Sequence, residues 1–233
     1  MATLNLVKSY DFFKPEDCNE RIHIIGCGSV GSCVAELLAR FGLTKITLYD
    51  FDTVEPKNLA NQMFTQEHIG ETKVEALSNI IQEINPEVKP QNSEGLKIQP
   101  YGFNGQKLSG YVFLCVDNID LRREIATTNK SNPYIKAMFD FRTRLTDAQH
   151  YAADWSDTKM VTDFINSMNF THDEAVAETP VSACNVTLSV APTVRVICSL
   201  GVANFINFVK SANGGRIKKF IQIDAFSFVL DAF

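Results

Sequence analysis

No two of the six cysteines stand as C-x-x-C, and Cys18, Cys27, Cys33, Cys115, Cys184 and Cys198 do not follow the spacing of a disulfide scaffold. That excludes a small stapled secreted fold and points to a reduced, cytoplasmic protein. No basic run occurs, and 22 Lys and Arg against 27 Asp and Glu leave a net charge of −5. Composition therefore makes no electrostatic case for nucleic acid. Met1 to Tyr10 lacks a basic segment followed by an apolar core, so no signal peptide is expected there. No uninterrupted apolar stretch looks long enough to span a bilayer, and no membrane partner is expected. His23, His68, His150 and His172 show no ligand spacing. Repeats, low-complexity segments and linkers are also missing.

What is present begins at Arg21. Ile22, Ile24 and Ile25 form a short apolar run that reads as a buried parallel strand. It enters Gly26-x-Gly28-x-x-Gly31, after which Val34, Leu37, Leu38 and Phe41 recur at helical spacing until Gly42 stops the helix. Ile46, Leu48 and Tyr49 make a second strand that delivers Asp50. Strand, glycine turn, helix, strand and acid together form a nucleotide-binding fingerprint. The glycines admit phosphate to the backbone, the helix N-terminus attracts its charge, and the acid accepts from ribose hydroxyls.

At 233 residues the chain suits one large or two small domains. It can bury on the order of 70–75% of its unfolded surface. Leu4, Leu6, Val7, Tyr10, Phe12 and Phe13 give residues 1–20 enough apolar surface to pack on the core or on a partner subunit. Residues 51–62 read as a polar loop. Thr72 caps a helix carrying Val74, Leu77, Ile80, Ile81 and Ile84, which Asn85-Pro86 ends. A short edge strand is expected near Val88. Tyr111 to Val116 is another buried strand, bringing Asp117 and Asn118 to the sheet edge where ligands of parallel sheets bind. A helix over 118–130, a strand over 134–139 and an antiparallel return over 144–152 should follow. Residues 153–183 read as short helices in a crossover, residues 189–212 as one long helix with Pro192 in its first turn and Gly214-Gly215 beyond its end, and 220–224 and 226–230 as closing antiparallel strands.

Asp50-Phe-Asp52-Thr-Val54, Asn58-Leu59, Gln62, Gly70-x-x-Lys73 and Asp117-Asn118 occur in one order along the chain. In that order they resemble the ThiF/MoeB/HesA adenylyltransferases, bacterial relatives of ubiquitin-activating enzymes. The match is nearly continuous over 21–130 and weaker over 134–152 and 184–232. The resemblance implies an α/β fold: a Rossmann-like, doubly wound, mostly parallel sheet extended by antiparallel strands at its C-terminal end. It also implies a single adenylation domain over 1–233, with a packing segment at 1–20, a nucleotide-binding core at 21–152, a crossover at 153–183, and the long helix with closing strands at 184–233. The implied activity is ATP-dependent adenylation of the C-terminal carboxylate of a small ubiquitin-like or sulfur-carrier protein, by a homodimer using Mg2+.

Residue by residue, the resemblance implies that Gly26, Gly28 and Gly31 admit ATP and that Asp50 holds ribose, with Asp52, Gln62, Asn118 and Arg122 lining the nucleotide. Asn58 and Lys73 would contact the phosphates. Asp117 would place Mg2+ between phosphate oxygens. Cys184, just ahead of a proline-containing helix, stands where some relatives carry a sulfur-bearing cysteine, and a helix N-terminus favours its thiolate. It reads equally well as a small loop residue. Three departures stand out. Asn61 occupies a position where the family has a phosphate-touching arginine, and the first twenty residues hold only Lys8 and Lys14, so Arg142 or Arg144 is expected to supply the missing charge. The paired C-x-x-C motifs of many relatives are missing, so no structural zinc is expected. Two alternatives stay open: a catalytically degenerate scaffold, which Asn61 permits, and a nicotinamide oxidoreductase, which the glycine turn and Asp50 alone would permit.

Overall fold

The segments Ile22–Ile25 (β1) and Ile46–Tyr49 (β2), apolar but for His23 and Thr47, are buried at every position, as parallel strands covered on both faces must be. Between them runs α1, Ser29–Arg40, which gives way to Gly42 at φ +81°. The computed structural model describes residues 3–88, 95–179, 188–210 and 217–233. Helix α2, Lys73–Ile84, starts where the Thr72 side chain accepts the Glu75 N–H. Strands β3 (Lys97–Gln99) and β4 (Gly110–Leu114) follow, then α3 (Ile119–Thr128), whose first turn is capped by the Asn118 side chain on the Leu121 N–H. Strands β5 (Ile135–Thr143) and β6 (Asp147–Asp154) precede the short helices α4 (Thr158–Asn166) and α5 (His172–Glu178). Helix α6 (Ala191–Lys210) and the hairpin β7 (Phe220–Asp224) and β8 (Val229–Ala232) complete the described chain.

The eight strands form one sheet in the order β3-β2-β1-β4-β5-β6-β7-β8. The first five run parallel, and β6, β7 and β8 each pair antiparallel with the strand before. Helices α1, α2 and α6 share one apolar core with one face of the sheet. Helices α3 and α4 share a second core on the other face, around Val112, Leu114, Met138 and Trp155. This is the expected α/β architecture: a doubly wound, mostly parallel sheet with antiparallel strands at its C-terminal end. The winding changes side between β1 and β4, the place where open α/β sheets bind ligands.

Several boundaries differ from the expectation. Val88 is buried but lies in a turn, its N–H on the Asn85 carbonyl, and the edge strand comes later at Lys97–Gln99. The last strand starts at Val229 because the Asp224 carboxylate accepts the N–H groups of Phe226 and Ser227 and closes a turn there. Helix α6, with 20 residues and a mean hydropathy of 1.4, is long and apolar enough to span a bilayer, although no such stretch was expected. Half of it is buried within the protein, so its apolarity suits a core helix. The expected end of that helix at Ala212 and Gly214-Gly215 lie outside the described residues. The N-terminal segment divides: Phe13 is buried edge-on to Phe41, whereas Val7 and Phe12 are largely exposed.

Candidate active site

Each glycine of the turn after β1 has a separate reason to lack a side chain. Gly26 sits at φ +95°, and a Cβ there would come 2.7 Å from the Cys115 carbonyl carbon. A Cβ on Gly31 would stand 1.8 Å from the Gly26 oxygen, so this glycine lets α1 close onto β1. A Cβ on Gly28 would meet nothing within 4 Å. The middle glycine therefore faces open space at a helix N-terminus, which is where a phosphate group has to approach backbone.

Asp50 leaves the end of β2 beside that turn. Its Oδ2 accepts the Cys27 N–H at 2.6 Å and its Oδ1 the Asp52 N–H at 2.9 Å. Burial pushes its pKa up, and those two hydrogen bonds oppose the shift. The carboxylate is fixed at the turn with lone pairs left for hydroxyl donors. Lys73, the first residue of α2, is buried, and its Nζ meets Asp52 Oδ2 at 2.7 Å. Its N–H also donates to the Asp52 carbonyl at 2.9 Å, and Thr53 bridges Thr72, so the loop after β2 is laced to the start of α2. Lys73 is thus no solvated helix residue: its ammonium is buried at the same sheet edge as the glycine turn.

Asp117 follows β4, whose Leu114 is in register with Ile25 of β1 and Asp140 of β5. It is exposed and, among the described residues, makes no hydrogen bond or ion pair. Asn118 is committed as the cap of α3 at 3.0 Å. Arg122 is buried and turned inward. Its Nε donates to the Val116 carbonyl at 2.6 Å, while Nη1 reaches Asp140 Oδ1 at 2.8 Å and the Phe141 carbonyl at 2.5 Å. Arg142, expected to bring positive charge to a transferring phosphate, also spends its guanidinium inward. Its Nε meets Asp140 Oδ2 at 2.7 Å, both Nη groups bond Ser167, and the plane lies 4.1 Å from the Tyr151 ring centroid. Arg144 pairs with Glu178 in solvent.

Asn58 is buried and its Oδ1 accepts the Glu55 N–H at 2.8 Å, closing the 3-10 turn Pro56–Ala60. Gln62 keeps a buried Oε1 with no protein partner among the described residues. Asn61 points its amide at the Ser189 carbonyl, 3.5 Å away. Cys184 lies outside the described residues. Burial pushes the thiols of Cys27, Cys115 and Cys198 up, and Cys18 to about 12, which suits packing rather than nucleophilic use.

Glycine turn, Asp50, the Asp52–Lys73 pair and Asp117 thus meet at the C-terminal edge of the parallel strands. Asp140 escaped the sequence reading, although a lone acid in the apolar run Ala137 to Phe141 signals a buried charge with partners elsewhere. A cavity of about 740 Å³ is lined by Tyr111, Ile135, Lys136, Asp154 and Trp155. It opens at the opposite end of β4 and β5, away from all these groups.

The ThiF family model matches residues 17–233. Ubiquitin-like modifier-activating enzyme 5 of Culex quinquefasciatus is 31% identical over 137 residues, 54% of this chain and 34% of that protein. The Drosophila virilis enzyme is 31% identical over 145 residues, 57% of this chain and 35% of its own length. The chain covers about a third of the length of these relatives. Among solved structures, E. coli MccB with AMPCPP and MccA superposes with a TM-score of 0.65 at 18% identity, over 94% of this chain and 65% of that one. The microcin C7 biosynthetic enzyme MccB in complex with N-formylated MccA gives 0.66 at 17% identity, over 94% and 66%.

Proposed function

The chain belongs to the ThiF family, and on that footing we propose that it adenylates the C-terminal carboxylate of a small ubiquitin-like or sulfur-carrier protein with a flexible tail. The observation that carries the reading is the convergence of an open glycine turn, a fixed Asp50, a buried Lys73 and an Asp117 unpartnered among the described residues on one sheet edge. Relatives named as ubiquitin-like modifier-activating enzymes, and a structural neighbour crystallised with AMPCPP and MccA, support it.

In this reading the N-terminus of α1 and the open face of Gly28 receive the phosphates, and Asp50 accepts from the ribose hydroxyls. Lys73 exchanges Asp52 for the triphosphate, so its buried ammonium needs no new desolvation when the substrate enters. Asp117, exposed and free of protein donors among the described residues, would hold Mg2+, whose charge would offset that of the phosphates. The partner's carboxylate oxygen forms the bond to the α-phosphorus, and the bond to the β-phosphate bridging oxygen breaks. No protein thiol is needed for that step. Cys184 would serve afterwards, accepting the acyl group as a thioester with release of AMP, or leaving the acyl-adenylate to another enzyme. We place the protein in the cytoplasm as a homodimer, for which the exposed Val7, Phe12 and Phe228 offer apolar surface.

A second reading, a scaffold that keeps the fold without the reaction, is favoured by one observation. Asn61 brings a neutral amide, bonded to the Ser189 carbonyl, where the family has a cation. Calorimetry separates nucleotide classes first. Mg-ATP should bind, and NAD should bind far more weakly; NAD binding tighter than ATP would sink the adenylation reading.

A further inference from the structure

We propose that Arg122, held by the buried Asp140, is the positioning residue that sets the orientation of Asp117. The proposal rests on the reading of Asp117 as the residue that takes the divalent cation. Asp117 has no side-chain partner of its own among the described residues, so it is the backbone that sets the direction in which its Cα–Cβ bond leaves the chain. That backbone is pinned on both sides. On one side the Val116 carbonyl accepts from Arg122, from Nε at 2.6 Å and from Nη2 as well. On the other side Asn118 is locked as the cap of α3 by the Leu121 N–H at 3.0 Å.

The clamp is itself anchored at depth. Asp140 is fully buried, one oxygen on Arg122 at 2.8 Å and the other on Arg142 at 2.7 Å. Arg142 passes the anchor to the corner between α4 and α5 through Ser167, at 2.8 Å to both its carbonyl and its hydroxyl. Burying two guanidinium groups and a carboxylate is no route to stability, because well-packed apolar side chains of the same size usually do as well or better. What the charged cluster supplies is direction: a planar fork fixed by Asp140 and aimed at the peptide just before Asp117. Partners that orient a ligating carboxylate behave this way, and their loss weakens metal binding by about 10–100-fold.

The test uses Mn2+ in place of Mg2+ and the α,β-methylene analogue of ATP, so it needs neither a protein partner nor turnover. Electron paramagnetic resonance of free Mn2+ reports metal affinity of the protein–nucleotide complex over that of the nucleotide alone. Arg122→Lys keeps the charge but cannot serve Val116 and Asp140 together. It should weaken Mn2+ binding about 10–100-fold and leave metal-free binding of the analogue unchanged. A folded Arg122→Lys variant with wild-type Mn2+ affinity overturns the proposal, as does one that loses metal-free nucleotide binding to the same extent. Should Arg122→Lys not fold, Arg142→Lys decides: it frees one oxygen of Asp140 and should weaken Mn2+ in the same direction by a smaller factor. Asp117→Asn is the control. If it leaves Mn2+ affinity unchanged, the metal reading of Asp117 falls and the inference with it. If it weakens Mn2+ while the arginine variants do not, only the positioning role is lost.

Discussion

A methyl group at Gly31 would overlap the Gly26 oxygen at 1.8 Å, whereas one at Gly28 would enter empty space. The two alanine variants should therefore fail differently. Gly31→Ala forces α1 off β1, an overpacking cost of about 1–3 kcal/mol that urea unfolding would register. Gly28→Ala should cost no more than about 1 kcal/mol, through a poorer N-cap, yet it places a methyl where phosphate has to come and should abolish calorimetric ATP binding. Equal stability losses with equal residual ATP binding would show that the middle glycine does not face a ligand. At this scale the sequence was legible wherever a residue acts on near neighbours. Thr72 caps the helix that follows it as its place in the chain announces, because capping needs only three residues of chain, whereas Asn118, read as lining the nucleotide, is engaged as the cap of α3. Arg122 was not legible in that way. Its partner Asp140 lies 18 residues away, brought close only by the parallel register that sets Leu114 beside Asp140.

At the scale of elements, His150 is the rivet between α6 and the centre of the sheet. Its Nδ1–H donates to the Asp140 carbonyl at 3.0 Å, and its Nε2 accepts from the Asn204 amide of α6 at 3.2 Å. Asn204 cannot turn over, because its oxygen takes the Lys218 N–H and its amide also serves the Lys218 carbonyl. A protonated ring would set two donors against each other. Burial lowers the His150 pKa to about 4, and the neighbouring Asp140 carbonyl and charge oppose that shift only in part. Burial, followed by Arg21, lowers His23 to about 4 as well. Above an unfolded value near 6.5 the stability from a neutral buried histidine is fully present; it is lost as pH falls toward 4, by up to about 3 kcal/mol for each ring. Urea midpoints should decline over that window, and His150→Gln should flatten the decline. A midpoint independent of pH between 6.5 and 4 would contradict this account. Element boundaries were legible where caps or glycines mark them. They were not at Lys97–Gln99, a strand with no apolar alternation that exists only because β2 offers it an edge.

The whole molecule is a sheet with chemistry at one end and open apolar surface elsewhere. Phe226, Phe228, Val229, Leu230 and Phe233 are all exposed around the terminal hairpin β7–β8, together with Val7 and Phe12 of the N-terminal segment. Exposed apolar clusters on this scale mark contact surfaces, and light scattering at micromolar concentration should report a dimer; a monomer would leave that surface without its proposed occupant. The architecture was legible in advance because the apolar runs alternate with helical periods in an order that only a wound parallel sheet accommodates. The inward turn of Arg142 was not, since nothing near it in the chain announces Ser167 or Tyr151 as partners. With Arg122 and Arg142 both engaged by Asp140 and Asn61 neutral, Lys73 remains as the buried cation beside the glycine turn, paired with Asp52.

Transfer of an adenylyl group to a protein carboxylate at this edge would show as isotopic exchange between pyrophosphate and ATP. Wild-type protein mixed with small proteins bearing flexible C-terminal tails should catalyse exchange that requires the partner's free terminal carboxylate. Asp117→Ala should abolish that exchange, and Cys184→Ala should leave it largely intact, since the carboxylate itself is the nucleophile. Exchange that persists in Asp117→Ala, or no exchange by wild-type protein with any tail-bearing partner, would contradict the account.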